Sequence, residues 1–294
     1  MRKLGNIALM FAVGLGISIT LMFLFELFGI DIYLAQNGIN YVGLFVFCML
    51  FGFAGSFISL FLSKRIVKWT MRIQIVDPSQ ANGEMMWLTE TVRRLAQSAG
   101  LPETPEVGVY DSPEMNAFAT GPSKSDSLVA VSTGLLASMN RAELEGVLAH
   151  EVAHIANGDM VRMTLMQGVI NTLVMFAARI VAHLVASRIS DRDSYFMRFA
   201  LVMFFQIAFG FLGMIVVNWY SRKREFRADS GGAALAGKDK MIAGLQALKD
   251  RMNVVDNSQP QLAALKISSK PKGFAAMFST HPPLAERIEA LRIS

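Results

Sequence analysis

Apolar positions along this chain gather into four long runs, separated by segments of shorter period. Two of the runs, about Leu4 to Phe28 and about Ile39 to Leu62, are each long enough to cross a hydrocarbon core as a helix of about 20 residues. No Lys or Arg lies between Lys3 and Lys64, and the short connection holds Asp31, Gln36, Asn37 and Gly38. The first run is too long and too apolar for a cleaved secretory signal, and no small-residue cleavage site precedes a soluble segment. Residues 1–62 therefore read as a transmembrane hairpin. Two further runs extend from about Thr164 to Ser187 and from about Phe199 to Trp219. The latter is free of charge, whereas the former holds Gln167, Asn171, Arg179 and His183, which are costly against lipid. Arg179 and His183 sit near the far end of that run, where long side chains can snorkel. The pattern favours four spans, with a dipped or protein-buried hairpin over 164–219 as the alternative.

Between the runs the period changes. Glu84 to Ala99 repeats Trp87, Leu88, Val92 and Leu95 at helical spacing, and Gly100 with Pro102 ends it. Val107 to Tyr110 and Leu128 to Ser132 are short β-like runs joined through the turn-rich segment 121–127. Asn140 followed by Glu143 is a capping-box start for a helix carrying Leu144, Val147 and Leu148 on one face, interrupted only by Gly146. Asn157-Gly158 is its stop signal. Later, Ser221 to Ala236 and Lys238 to Met252 read as helices, Asn253 to Ser269 as a polar flexible stretch, and Leu284 to Leu291 as a short closing helix. The predicted fold is a mainly α membrane protein with a small β-sheet. Hairpins over 1–62 and 164–219 alternate with polar parts over 63–163 and 220–294.

Composition sharpens this picture. The chain has 294 residues, and 53% hydrophobic with 17% charged residues is unusual for a soluble protein. Arg2 and Lys3 precede the first run, while Lys64, Arg65, Lys68 and Arg72 follow the second. By the positive-inside rule both ends of the hairpin are cytoplasmic, as is the chain from about Ser63 onward. A net charge of +5 suits an anionic membrane surface, and the absence of basic–aromatic repeats argues against a nucleic-acid partner. The single cysteine, Cys48, lies inside the second run, permits no internal disulfide and reads as a small core residue.

The candidate chemistry is concentrated in His150-Glu151-Val152-Ala153-His154, which uses two of the four histidines. On a helix, His150 and His154 share a face and can present ring nitrogens to one metal ion, with Glu151 beside them as general base toward water. A hydrolytic zinc site takes three protein ligands. The best downstream donor is Glu225, one helical turn before Asp229. Glu225 is assigned as third ligand and Asp229 as the acceptor that orients a ligand imidazole through its other N–H. Two imidazoles and a carboxylate suit one Zn2+ per chain. These donors must meet on one side of the bilayer, so the chain between them crosses an even number of times. His183 lies far along the run and reads as a hairpin or interface residue.

With these residues in place, the chain resembles the HtpX family of integral-membrane zinc metalloproteases, relatives of the CAAX prenyl protease. The likeness rests on the His150–His154 motif, Glu225-Phe226-Arg227-Ala228-Asp229, Asn116–Gly121, Val129–Leu136, Ala156–Met160 and Thr280-His281-Pro282-Pro283, and covers essentially the whole chain. It implies a zincin-like protease domain on the cytoplasmic face of a bacterial inner membrane. The substrates it implies are damaged, misfolded or unfolded polypeptides, membrane proteins above all, cleaved in protein quality control and stress response. It also implies catalytic His281 as an oxyanion donor and Asn116 as a substrate-binding residue beside an extended stretch. On residues alone, His281 could equally be a loop histidine near the final helix, and Asn116 an ordinary turn residue. A narrower peptidase resembling the CAAX protease is the alternative function. A transporter is disfavoured by the large polar portion and the lack of a broken-helix pair.

Overall fold

The computed structural model of the protein describes residues 40–189, 195–257 and 281–293. The first apolar run and residues 258–269 of the polar stretch lie outside the described residues. The elements are α1 (Tyr41–Thr70), β1 (Gln74–Ile75), α2 (Gly83–Ser98), β2 (Glu106–Tyr110), β3 (Ala117–Thr120), β4 (Leu128–Ser132), α3 (Thr133–Ser138), α4 (Arg141–Asn157), α5 (Asp159–Ile189), α6 (Tyr195–Ala236), α7 (Lys238–Asn257) and α8 (Leu284–Ile293). They form two compact units. One comprises the chain through Phe57 with Gln167–Gly213, and the other comprises Ile58–Met166 with Met214 onward.

Among the described residues, α1, α5 and α6 are long and apolar enough to cross a membrane. In the first unit, α1 and α5 meet through small residues. A Cβ on Gly52 would lie 2.6 Å from the Thr172 hydroxyl, and one on Gly168 would strike the Phe53 ring. Leu44, Cys48 and Met175 are buried there, flanked by Phe47, Phe51, Phe176 and Ile180. Two of the polar residues that looked costly against lipid, Gln167 and Asn171, are hydrogen-bonded. Gln167 Nε2 donates to Asn171 Oδ1 at 2.8 Å, and Asn171 Nδ2 donates to the buried Ser56 hydroxyl at 3.4 Å. Such helix–helix hydrogen bonds satisfy groups that hydrocarbon would leave bare. Arg179 donates to the carbonyl of Met175 one turn back.

The second unit is built on a four-stranded sheet of order β1-β2-β4-β3. The two sequence-predicted strands, β2 and β4, are parallel neighbours with Val107 opposite Val129 and Val109 opposite Val131. Parallel neighbours need a crossover, and β3 supplies it. The chain leaves β2, runs out to the edge, and returns through the 121–127 turn as an antiparallel hairpin. Ala117-Phe118-Ala119-Thr120 is short and lacks a β-branched run, so its alternation is invisible in the sequence. One face of the sheet buries Val107, Val129 and Val131 against Leu88, Val92 and Leu95 of α2 and Leu144, Leu148 and Val152 of α4. The other face stacks Tyr110, Leu128, Ala130 and Phe118. Full burial of a Leu or Val side chain stabilises the fold by about 1.5–3 kcal/mol. Lys64, near the end of α1, bridges Glu106 and Asp126, and Lys68 also pairs with Glu106. Of the four bases that follow the second run, Arg65 and Arg72 stay exposed.

Helix α4 begins at a capping box. Asn140 Oδ1 accepts from the amides of Ala142 and Glu143, while Glu143 Oε2 accepts from the Asn140 amide at 3.0 Å. It ends at Gly158 with φ 66°, a left-handed turn that costs glycine little, and α5 starts at the next residue. Glu145 on α4 ties in α2 through Arg94 (2.7 Å) and α7 through Lys240 (2.8 Å). Gly146, the lone gap in the α4 pattern, is where α7 crosses: a Cβ there would lie 2.1 Å from the Lys240 carbonyl oxygen. Helix α7 continues to Asn257, beyond the expected end at Met252. The helix expected over 221–236 is the continuation of the fourth apolar run, both belonging to α6.

Because backbone and not a flexible side chain opposes Gly146, Gly146→Ala is expected to force α4 and α7 apart and cost about 1–3 kcal/mol. Chemical denaturation of the detergent-solubilised protein measures this, and an unchanged midpoint would contradict so close a crossing.

Candidate metal centre

The centre forms where α4, α6 and α8 approach one another, with the first turn of α5 behind it. Helix α6 reaches α4 across two glycines. A Cβ on Gly231 would sit 2.9 Å from the Ala153 methyl, and one on Gly232 would sit 3.0 Å from the His150 amide. Glu225, Asp229 and Gly232 recur at helical spacing, so the face of α6 that fits closely on α4 also delivers both acids to the histidines.

His150, His154 and Glu225 are all buried, and each offers a ligand atom within 4.8 Å of the others. His154 Nε2 lies 3.1 Å from His150 Nε2. Glu225 Oε2 lies 3.5 Å from His150 Nε2, and Oε1 lies 3.4 Å from His154 Nε2. Ligand atoms about 2.0 Å from a tetrahedral ion would be about 3.3 Å apart, so the set fits a zinc-sized ion. The opposite ring nitrogens reinforce this. His150 Nδ1 is 2.9 Å from Asp229 Oδ1, and His154 Nδ1 is 2.6 Å from Asp159 Oδ2. When each Nδ1–H donates to its acid, both Nε2 lone pairs point into the same space beside a carboxylate. A bound cation would satisfy that arrangement.

The same electrostatics act on protons in the metal-free protein. Burial opposes charging the rings, but hydrogen bonds to Asp229 and Glu225 outweigh it and raise the pKa of His150. For His154, burial is likewise outweighed, here by Asp159 and Glu225, and the pKa rises to about 9. Burial would raise the pKa of Glu225, yet its bonds to His150, His154 and His281 hold it well below the carboxylate range. Asp229 is lowered too, burial being overcome by Arg287 and His150.

Two residues without an assigned role in the sequence reading complete the surroundings. Arg287 of α8 grips Asp229 with two bonds, Nε to Oδ2 at 2.8 Å and Nη2 to Oδ1 at 2.6 Å. Its Nη1 lies 3.4 Å from Glu225 Oε2. It was visible in principle as a base inside the apolar stripe Leu284, Ile288, Leu291. Asp159 was hidden because a continuous helix would not aim residue 159 at residue 154; the left-handed Gly158 does. His281 is brought to the centre, with Nδ1 2.8 Å from Glu225 Oε2 and its ring 62% exposed. Glu151 is half-buried on α4. Asn116 is exposed and precedes β3, which packs beside α4.

Peptidase family M48 matches this chain over residues 83–293, a stretch that includes every residue of the centre. The chain belongs to peptidase family M48. With three helices suited to crossing a membrane among the described residues, this M48 protein is a membrane-bound metalloprotease acting on polypeptides. It is 50% identical to a protease HtpX homolog of Methylacidiphilum infernorum, over 98% of this chain and 95% of that one. It is 48% identical to protease HtpX of Aeromonas hydrophila subsp. hydrophila, over 98% of this chain and 96% of that one. The crystal structure of S. mikatae Ste24p has a similar fold, with a TM-score of 0.64 at 19% identity. That likeness covers 97% of this chain, which spans 64% of the Ste24p length.

Two outcomes follow for the M48 centre. Asp159→Asn is expected to weaken metal affinity about 10–100-fold, as loss of an orienting acid does, measured by chelator competition. Apparent metal affinity is also expected to rise with pH. Below about 9 the His154 ring of the metal-free protein keeps its proton, which must leave before the nitrogen can bind. Each displaced proton changes affinity by about tenfold per pH unit. A flat profile between pH 6 and 8, on the order of these limits, would show that no proton is exchanged.

Proposed function

We propose that this protein is a zinc-dependent endopeptidase of a bacterial inner membrane, with its centre on the cytoplasmic side, cleaving misfolded or damaged membrane proteins. The observation that carries the reading is the convergence of His150, His154 and Glu225, two of them backed by acids. In this reading those three residues hold the ion, Asp229 and Asp159 fix the imidazole orientations, and Arg287 holds Asp229 in place. Zinc, when bound, supplies Lewis acidity toward the scissile carbonyl and lowers the pKa of water to about 7.

The remaining steps belong to the chain. Glu151, next to the first ligand, takes the proton of the attacking water and later gives it to the leaving amine. His281 donates toward the developing oxyanion. Asn116 introduces the edge strand along which substrate lies. Asn116 O accepts from Ser132 N, so Asn116, Phe118 and Thr120 turn their backbone groups toward β4. By alternation, Ala117 and Ala119 turn theirs outward, where an extended polypeptide can add as a further strand. Backbone pairing of this kind suits unfolded chains of varied sequence.

The membrane side of the proposal rests on the flanking bases and on the parity of crossings between His154 and Glu225. Arg65 and Arg72 remain available to an anionic leaflet.

Glu151→Gln is expected to retain one zinc per chain while cleavage of a detergent-solubilised unfolded protein falls about 10²–10⁴-fold. Glu225→Ala is expected to lose the metal itself on dialysis. Metal analysis paired with proteolysis of the same samples separates the two roles, and full activity in metal-free protein or in Glu151→Gln would sink the assignment.

A further inference from the structure

The motif Ser132-Thr133-Gly134 has no part in the metal chemistry, yet each of its three residues is hydrogen-bonded to the segment before β3. We infer that it is a clamp that sets the position of the substrate-pairing edge strand, and that Ser132 is its principal positioning residue. This rests on the proposed docking of substrate along β3.

Ser132 is fully buried at the junction of β4 and α3. Its hydroxyl donates to the Glu114 carbonyl at 2.6 Å and accepts from the amides of Asn116 and Leu135, both at 3.1 Å. One donor and two acceptor sites are all a hydroxyl has, so its capacity is used completely. The Ser132 amide adds a bond to the Asn116 carbonyl at 2.9 Å, which the Tyr110 hydroxyl also approaches at 3.4 Å.

The two following residues extend the grip. Thr133 Oγ1 accepts from the Ser112 amide at 3.1 Å, and the Gly134 amide donates to the Ser112 carbonyl at 2.8 Å. A Cβ on Gly134 would lie 2.5 Å from the Pro113 carbonyl oxygen, so no larger residue permits this approach. Residues 112–116 are thereby fastened at both ends immediately before β3 begins at Ala117. Hydrogen-bond register passes along a strand residue by residue, so a shift at Asn116 moves the outward-facing groups of Ala117 and Ala119.

Ser132→Ala removes the hydroxyl and with it the bonds to the part-buried Asn116 amide and Glu114 carbonyl and to the buried Leu135 amide. The expected result is a kcat/KM for an extended fluorogenic peptide lower by about 10–100-fold, carried mainly by KM, with zinc content unchanged. The exposed Thr133 gives a second variant less exposed to folding failure: Thr133→Val is expected to raise KM in the same direction, and Thr133→Ser to restore it.

The discriminating measurement repeats each assay with the same peptide N-methylated at single backbone positions. If substrate pairs with β3, methylation slows the native enzyme, and Ser132→Ala adds little to that loss because both remove the same pairing. Native enzyme indifferent to methylation at every position would overturn strand docking and this inference with it. Native enzyme slowed by methylation, with the variants at native KM or equally impaired on both peptides, would overturn the clamp alone.

Discussion

Three buried donors share one small space, and in the absence of a cation they are held there by protons and by the neighbouring Arg287 and His281. Two imidazole nitrogens face each other at 3.1 Å beside a carboxylate, while the far side of each ring is engaged by an acid. That local frustration organises much of the surrounding structure. The glycines of α6 permit the approach that creates it, Arg287 balances part of its negative charge, and the capped, short-jointed α4 holds its two histidines in register. Without a compensating cation the cluster carries protons instead, which is why the pKa of His154 lies so far above that of free imidazole.

Local features of the fold were legible and relational ones were not. The capping box at Asn140 and the stop at Gly158 are encoded within a few residues, and α4 begins and ends there. The apolar runs behave similarly, since length and hydropathy alone make α1, α5 and α6 conspicuous. Strand β3 was legible only through the resemblance, as the extended stretch after Asn116, because its four residues acquire their role only from pairing with β4. The parallel pairing of β2 with β4 is likewise not written in either strand, since it depends on β3 being inserted between them.

Legibility at the centre divides along the same line. His150 and His154 are one turn apart and announce themselves, as do Glu225 and Asp229. Asp159 acts through the left-handed turn at Gly158, of which spacing carries no trace, and Arg287 acts through tertiary packing, of which the sequence shows only a base set inside an apolar stripe. Gly146 stood out as a flaw in an otherwise regular helix. Its explanation lies on another helix, in the carbonyl of Lys240 that occupies the place of a side chain.

Helix α6 has a further property that follows from its continuity. Its 42 residues run without interruption from the apolar stretch to the acids of the centre. An α-helix advances about 100° per residue, so the azimuth of Glu225 about the helix axis follows from counting along the helix. The apolar stretch is therefore phase-locked to the chemistry. A point substitution there leaves the phase intact, whereas inserting or deleting a single residue turns the carboxylate away from the histidines unless the helix slips to compensate. The apolar stretch and the metal ligand are in this sense one helical register, in which residue count matters as much as residue type.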